Sequence, residues 1–342
     1  MEKENRLLRY YIAGTEGANS FEMGADPASL HNAVWIDLAD PMPFEMAAVE
    51  AATALKLPTR ESLVEIEASS RSYQEGGASF MTATTVVGLD SDTPASVPLG
   101  FVLTPSQLIT LRYADPHSFR LMTSQCDRTA LGDNPLAVLL KLLDLIVDRV
   151  ADILERMSEE IDKTSRLVFG QDTPASRRIT SDDLRTILRR IGDTQFVVNK
   201  VHDSLHTLQR IVGFLNLPAE VEPAEPLEQR RAKVDKRSRE ELKSLARDIA
   251  SLLENATYLS ANIGFLLEAS VGRISIEQNA IIKIFSVAAV VFLPPTLVAS
   301  IYGMNFVHMP ELEWLLGYPM ALVMMVLSAI LPYLWFKKKG WL

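Results

Sequence analysis

Residues 302–306 (YGMNF) stand between two long apolar stretches near the end of the chain. The first is 284–301 (IFSVAAVVFLPPTLVASI), the second is 318–336 (YPMALVMMVLSAILPYLWF), and neither contains a formal charge. Each approaches the ~20 residues that an α-helix needs to cross a hydrocarbon layer about 30 Å thick. A buried helix of a soluble core is the alternative for either stretch. A pair of them with charged ends favours two transmembrane helices.

The charges around the two stretches predict their orientation. Lys283 precedes the first stretch, and residues 337–339 (KKK) follow the second. The connecting loop 302–317 contains Glu311 and Glu313 but no Lys or Arg. Because cytoplasmic segments of membrane proteins are enriched in Lys and Arg, we expect both termini in the cytoplasm and the loop outside.

Most of the chain is predicted to be water-soluble. Of its 342 residues 48% are hydrophobic, but the mean hydropathy is only +0.10. About 280 residues precede the first span, which is enough for one or two folded domains. The opening MEKENRLLRYY lacks the apolar segment of a secretory signal. The single cysteine, Cys126, excludes a disulfide framework or a thiolate metal site within one chain.

Charge and motifs argue against several functions. The net charge of −9 argues against nucleic acid as a partner, since phosphate binding needs a basic surface. The chain has no phosphate-binding GxxxxGK[ST] sequence and no nucleophile–base motif, so we predict neither ATP hydrolysis nor another enzyme activity. His202 and His206 stand four residues apart, but Asp203 replaces the Glu of an HExxH motif and no third metal ligand is evident.

The first third of the chain, residues 1–133, is predicted to be a cytosolic α/β head. β-Branched runs and intervening turn residues indicate strands, and two segments have helical spacing. The predicted strands are 34–38, 79–89, 99–103 and 108–113, the last two forming a hairpin, and the predicted helices are 46–55 and 62–69.

After Pro135 the pattern becomes helical. Residues 136–169 and 182–215 have apolar positions at helical spacing, and the polar break 170–180 separates them, so we predict an antiparallel helical hairpin over 134–220. A third helix is expected from Leu227 to residue 301, entering the membrane as one rod of about 75 residues, or about 110 Å at 1.5 Å per residue.

The third helix shows a regular apolar seam before the membrane. Its members alternate by four and three residues, which is typical of a coiled coil and predicts self-association. They are Leu245, Ile249, Leu252, Ala256, Leu259, Ile263 and Leu266.

The same spacing continues into the first span with polar residues included. The predicted pore-lining residues are Asn279, Ile282, Phe285, Ala289, Leu293, Thr296 and Ser300, with Ser286 on the same face. Polar side chains inside a membrane usually face a bundle interior or a water-filled path. Ordinary helix packing through Ser and Thr is the alternative. Pro294 and Pro295 are expected to bend or loosen this span.

Several segments together resemble the CorA magnesium channels, and most closely the enterobacterial type. The matching segments are 302–305 (YGMN), 309–312 (MPEL), 276–279 (IEQN), 292–300 (FLPPTLVAS), 32–38 (NAVWIDL), 66–71 (IEASSR) and the basic end 337–342 (KKKGWL). A GMN tripeptide alone occurs by chance, but between two C-terminal spans and followed by MPEL it is a specific motif.

The resemblance implies a funnel-shaped homopentamer in the inner (plasma) membrane of a bacterium. Each subunit would have an α+β head built as an α/β/α sandwich, a long helical hairpin and a stalk helix, followed by two transmembrane helices. Five copies of the first span (about 284–301) would line the pore. The second spans (318–336) would surround them, with 302–317 as external loop and 337–342 as cytosolic end.

The resemblance also implies the activity, a channel for Mg²⁺ influx that also passes Co²⁺ and Ni²⁺. Gly303, Met304 and Asn305 would form the selectivity filter. Intracellular Mg²⁺ would bridge acidic residues of neighbouring subunits and keep the pore closed, with Glu65, Asp248 and Glu268 as the matching acids. The implied partners are further copies of the chain, the lipid bilayer and divalent cations, with no nucleic acid and no organic cofactor.

Two other functions stay open. The zinc-transporting ZntB branch of the same superfamily looks similar but usually varies the middle residue of the tripeptide, so Met304 and the MPEL run favour the magnesium branch. A membrane-anchored sensor or scaffold that transports nothing is the other alternative, and the polar face of the first span argues against it.

Overall fold

A computed structural model describes residues 8–22, 25–65, 71–89, 93–169, 181–216, 236–305, 309–310 and 314–340. The chain divides into two compact units, Met1–Pro174 with Arg189–Leu266, and Ala175–Leu188 with Leu267–Leu342. The polar break 170–180, the expected helix start at Leu227, and the loop acids Glu311 and Glu313 lie outside the described residues.

The first unit contains a seven-stranded sheet with the order β2-β1-β3-β7-β6-β5-β4. The strands are β1 Arg9–Ile12, β2 Asn19–Ser20, β3 Ala33–Ala39, β4 Ser72–Glu75, β5 Ala78–Val87, β6 Ala95–Leu103 and β7 Leu108–Arg112. Only β3 and β7 pair in parallel, and the other neighbours are antiparallel. The predicted hairpin is confirmed, with Leu103 opposite Leu108.

Helices cover both faces of this sheet. A 3-10 helix, Pro27–Asn32, and the helices α1, Pro43–Thr53, and α2, Arg60–Leu63, lie on one face around a common apolar core. Helix α3, His117–Cys126, and the start of α4, Pro135–Phe169, lie on the other. The predicted α/β/α sandwich is therefore confirmed.

Helix α2 is shorter than the predicted helix 62–69. It ends at Leu63, and the next two backbone N–H groups bond three residues back, Val64 to Glu61 and Glu65 to Ser62. Such bonds tighten the last turn of a helix and end it. Residues 66–70 lie outside the described residues.

A buried ion pair joins the two parallel strands. Asp37 on β3 is fully buried, and Arg112 on β7 donates to its Oδ2 from Nη2 at 2.9 Å and to both carboxylate oxygens from Nε at 3.2 Å. Thr110 donates to Oδ1 of Asp37 at 2.8 Å and accepts from the indole N–H of Trp35 at 3.0 Å. Every buried charge here has a partner, as a charge removed from water requires.

Two long helices follow the head. Helices α4, Pro135–Phe169, and α5, Ser181–Asn216, agree within one residue with the predicted segments 136–169 and 182–215. Helix α5 contacts the sheet at Thr84 of β5, whose carbonyl oxygen accepts from Ser204 Oγ at 2.6 Å. The N–H of Thr84 donates to Thr207 Oγ1 at 2.9 Å. These bonds attach α5 to the head.

Helix α6, Lys236–Tyr302, contains the predicted apolar seam, but the seam is buried inside the chain. Six of its seven members are at most 4% exposed, and Leu252 is half-buried. The neighbours are the chain's own helices. Phe265 stacks on Phe169 of α4 with ring centroids 6.0 Å apart, and Ser260 accepts from Gln195 Nε2 of α5 at 3.4 Å. The interpretation of this seam as a self-association surface was therefore wrong.

The second unit contains the two apolar helices. The predicted spans 284–301 and 318–336 lie within α6 and within α7, Gly317–Lys338. Both helices are long and apolar enough to cross a membrane. Only 6% of the most apolar window of α6 and 11% of that of α7 are buried, whereas a core helix of a soluble protein is mostly buried. These faces therefore require lipid or further protein as cover.

Candidate cation pathway

Gly303 lies at the point where α6 ends. Its N–H donates to the carbonyl oxygen of Ala299 at 2.9 Å, and Met304 N–H donates to Ile301 at 3.3 Å, so the last turn tightens. The backbone of Gly303 is not left-handed. A Cβ at this position would instead lie 3.0 Å from the Ala299 oxygen. Close approach is therefore the structural reason for glycine at 303.

The next two residues present their side chains to the surroundings. Met304 is 45% exposed in the single chain. Asn305 is exposed, and its amide makes no hydrogen bond within the described part of the chain. Its carbonyl oxygen and NH₂ group are therefore both available to a ligand or to bound water.

The seven predicted pore-lining residues share an uncovered face of α6. At about 100° per residue they fall within an arc of about 120°. All seven are exposed, with exposed fractions of 61% for Ile282, 72% for Phe285 and 64% for Leu293. The face mixes amide and hydroxyl groups with large apolar side chains, which is unsuited to lipid alone.

The opposite side of α6 is covered. Val287 is 6% exposed, and Val291, Pro294 and Val298 on the same side are half-buried. Helix α7 has a matching buried side with Gly317, Ala321 and Phe336. Small residues four apart let helices approach closely in a membrane. Each of the two helices therefore has a buried side, and the polar face of α6 lies on its exposed side.

The two prolines lie inside a continuous helix. Helix α6 passes through Pro294 and Pro295 to Tyr302, and neither proline can donate to the carbonyl oxygen four residues before it. Thr296 Oγ1 donates to the carbonyl oxygen of Phe292 at 2.7 Å. With its hydrogen used in this bond, the exposed hydroxyl oxygen presents lone pairs, so it can accept hydrogen bonds from water.

Comparison with known proteins agrees with this architecture. The sequence profile of the family described as CorA-like Mg²⁺ transporter protein matches residues 31–338. The chain belongs to this family. It is 35% identical over 341 residues to magnesium transport protein CorA of Salmonella typhimurium, covering 99% of this chain and 98% of the relative. It is 36% identical over 314 residues to the protein of the same name from Escherichia coli K12, covering 92% and 93%.

Solved structures share the fold of this CorA-family chain. The complete CorA magnesium transporter from Methanocaldococcus jannaschii superimposes with a TM-score of 0.73 at 16% identity, covering 98% of both chains. The full-length CmaX protein gives a TM-score of 0.67 at 16% identity and covers 99% of both chains. The cytoplasmic domain of ZntB from Vibrio parahaemolyticus gives 0.55 at 9% identity over 79% of this chain. At these identities the likeness concerns the fold alone.

The three acids that family resemblance assigns to regulation lie on different elements. Glu65 follows α2, Asp248 lies on α6 in the first unit, and Glu268 lies on α6 in the second unit; all three are exposed. No group of three or more His, Cys, Asp or Glu side chains is arranged to hold a metal ion among the residues that the structure describes. Within the part of one chain that the structure describes, none of these acids completes a metal site.

The structure does place Asp248 in an acidic environment that the sequence did not indicate. Asp144 of α4 has a pKa above its usual value, first because neighbouring side chains shield it from water and then because of the charges of Asp148, Asp248 and Glu241. The like charges of α4 and α6 therefore act on one another. In the sequence Asp144 and Asp248 are about a hundred residues apart, and both look like ordinary solvated positions.

Proposed function

We propose that this chain is a subunit of a channel that conducts Mg²⁺ into the cell down its electrochemical gradient. The observation that carries the proposal is the exposed polar face of α6, which leads to the exposed amide of Asn305 just after the end of the helix. Membership of the CorA-like family and the names of the relatives at 35% and 36% identity support magnesium as the ion.

The chemistry of the filter follows from the hydration of magnesium. Mg²⁺ releases its waters reluctantly, so an entrance can recognise the hydrated ion through hydrogen bonds to those waters. In a ring of subunits, the Asn305 amides offer carbonyl oxygens to the waters, while Gly303 and Met304 shape the turn that holds them. An amide attracts a divalent cation less strongly than a carboxylate does, so the ion can leave again.

The remaining pore consists of polar and apolar rings. Thr296, Ser300 and Asn279 supply oxygen atoms, and Leu293 and Ile282 form constrictions that can close by excluding water. One chain cannot enclose a pore, because the polar face of α6 is exposed in the single chain. A homopentamer is proposed from the family resemblance, with the exposed faces of five α6 helices toward the axis and α7 outside.

The membrane potential is sufficient to drive uptake. Each elementary charge crossing 100 mV gains about 2.3 kcal/mol, so a divalent ion gains about 4.6 kcal/mol, or over three decades of concentration. The proposed direction requires the termini in the cytoplasm and the GMN loop outside a bacterial inner membrane, as the Lys distribution favours. Hydrated Co²⁺ and Ni²⁺ are proposed to use the same path.

We further propose that intracellular Mg²⁺ regulates the channel through acidic residues of the first unit and the stalk. Asp248 lies close enough to Asp144 and Glu241 for their charges to act on one another, and a divalent cation would relieve that repulsion. Glu65 and Glu268 are exposed and available to a neighbouring subunit. Loss of the ion would restore the repulsion and favour opening.

Flux into liposomes tests the proposal. Purified protein is reconstituted, and Mg²⁺ uptake is compared between the wild type, Asn305→Ala and the matched control Asn255→Ala, an exposed asparagine of α6 outside the predicted span. We expect potential-driven Mg²⁺ flux that falls at least about tenfold in Asn305→Ala, a loss of at least about 1.4 kcal/mol, and is unchanged in the control.

Two results would contradict this function. Uptake of Zn²⁺ alone, coupled to a pH gradient, would place the chain in the zinc-transporting branch. Absence of flux for every divalent cation from correctly inserted protein would favour a sensor or scaffold.

A further inference from the structure

Helix α5 has two of the chain's five histidines on one face, far along the chain from the predicted pore. The rings of His202 and His206 are in contact, with centroids 4.4 Å apart and planes at 84°. His202 is half-buried and His206 exposed. Apart from this mutual contact, neither ring has a hydrogen bond or an ion pair within the part of the chain that the structure describes. Their ring nitrogens are therefore available to a ligand.

The separation of the rings matches chelation of a metal ion. Imidazole nitrogens bind transition metals at about 2.1 Å. Two imidazoles in neighbouring octahedral positions therefore have their ring centroids about 4.6 Å apart, and in tetrahedral positions about 5.3 Å apart. The observed 4.4 Å lies next to the octahedral value. Rotation of each imidazole about χ2 is soft, so small side-chain adjustments suffice to aim one nitrogen of each ring at a shared ion.

We propose that His202 and His206 form a two-histidine chelate for a transition-metal dication, with water in the remaining coordination positions. Imidazole suits Ni²⁺, Co²⁺, Cu²⁺ and Zn²⁺, whereas Mg²⁺ prefers oxygen ligands. The site therefore distinguishes transition metals from magnesium.

The surroundings of the pair are compatible with a cation. Asp203 lies between the two histidines in the chain and is exposed. Its negative charge makes the electrostatic potential near the pair more negative, which favours a cation. Asn199 is one turn before His202 on the same face, and its Oδ1 accepts from Gln195 Nε2 at 2.6 Å. No positively charged side chain stands at positions 203 to 205, and Arg210 follows His206 by one turn on the same face with an exposed side chain.

The site is also close to the junction between α5 and the head. Ser204 and Thr207, which bond to Thr84 of β5, lie on the same turn of α5 as the two histidines. A metal ion bound by both histidines would cross-link the two ends of this helical turn, in addition to the backbone hydrogen bond between them. Because the folded turn holds both imidazoles in position for one ion, it binds the ion more tightly than the unfolded chain does, and binding stabilises the folded protein. The inference concerns the first unit and stands whether or not the chain transports Mg²⁺.

Titration with Ni²⁺ tests the site. Full-length protein is purified without a polyhistidine tag, and Ni²⁺ binding is measured by calorimetry in excess Mg²⁺, so that oxygen sites are occupied. The variants are His202→Gln, His206→Gln and the double change. The matched control is the double change His31→Gln and His117→Gln, which removes two exposed histidines of the head that do not form a pair.

We expect one Ni²⁺ per wild-type chain. Removing either histidine should lower the affinity for Ni²⁺ at least about tenfold, because the second imidazole binds an ion that the first already holds nearby. Ni²⁺ should raise the melting temperature of the wild type and the control, but not of the double variant. Cu²⁺ bound to the wild type should show two equatorial nitrogens by electron paramagnetic resonance, and one in His206→Gln. Equal Ni²⁺ affinity in the wild type and the double variant would overturn the proposal, as would an equal loss in the control.

Discussion

Asp144 illustrates how the surroundings of a single residue alter its chemistry. It lies on α4 among like charges from its own helix and from α6, and its pKa is raised by shielding from water and by Asp148, Asp248 and Glu241. A raised pKa means that the folded chain binds the proton more tightly than the unfolded chain does. The contribution of this group to stability is therefore present in acid and is lost as the pH rises through its folded pKa.

The change Asp144→Asn tests this reasoning. At pH 7 it removes a charge that the fold disfavours, so we expect a higher melting temperature of the full-length protein and a gain of about 0.5 kcal/mol or less, because Asp144 remains exposed. The gain should shrink as the pH falls and wild-type Asp144 becomes protonated. Asp152→Asn, an exposed change two turns along α4, is the control. A destabilised Asp144→Asn would show that its charge has a favourable partner.

At the scale of the elements, the neighbouring strands β3 and β7 are joined by the buried ion pair between Asp37 and Arg112. Burial alone would lower the pKa of Arg112, but the charge of Asp37, the hydrogen bonds to it and the charge of Asp115 raise it overall. The guanidinium also lies over the ring of Phe119 at 5.0 Å, which connects α3 to the strands. The side chain of Arg112 therefore links its own strand, β7, to strand β3 and to helix α3.

Removal of this arginine should destabilise the head strongly. Arg112→Leu leaves the fully buried carboxylate of Asp37 without its counter-charge, and we expect a loss of about 3–5 kcal/mol of folding free energy. Arg120→Leu is the control, since Arg120 pairs with Asp115 from a side chain that is 55% exposed and should cost less than about 1 kcal/mol. Thermal unfolding followed by tryptophan fluorescence compares the two. Equal losses would contradict a special role for the buried pair.

At the scale of the whole molecule, the two sides of the first membrane helix differ in burial. Val287 is buried, whereas Leu293 on the other side of α6 is 64% exposed. In an assembly around a central pore, the exposed face of one copy meets that of its neighbours. The apolar seam of α6 between Leu245 and Leu266 does not mediate contacts between copies, because the chain's own helices cover it.

Cysteine substitution measures this difference. In a Cys126→Ala background, which removes the only native thiol, Leu293→Cys should form covalent dimers on mild oxidation in membranes. Val287→Cys should remain monomeric on denaturing gels, because the side chain is 6% exposed in its own subunit. More dimer at 287 than at 293 would reverse the assignment of the pore face.

The sequence by itself determined the membrane helices, the long helices and most strands, because these depend on local composition and on periodicity along the chain. It also identified Asn305 and one face of α6 as candidates, since polar residues in an apolar span are conspicuous. Only the tertiary structure decided what covers each face. Periodicity shows that a seam is buried but not whether its partner is in the same chain. The charge interaction between Asp144 and Asp248 likewise depends on how the helices pack. So does the contact of two imidazoles that have no other polar partner in the described part of the chain.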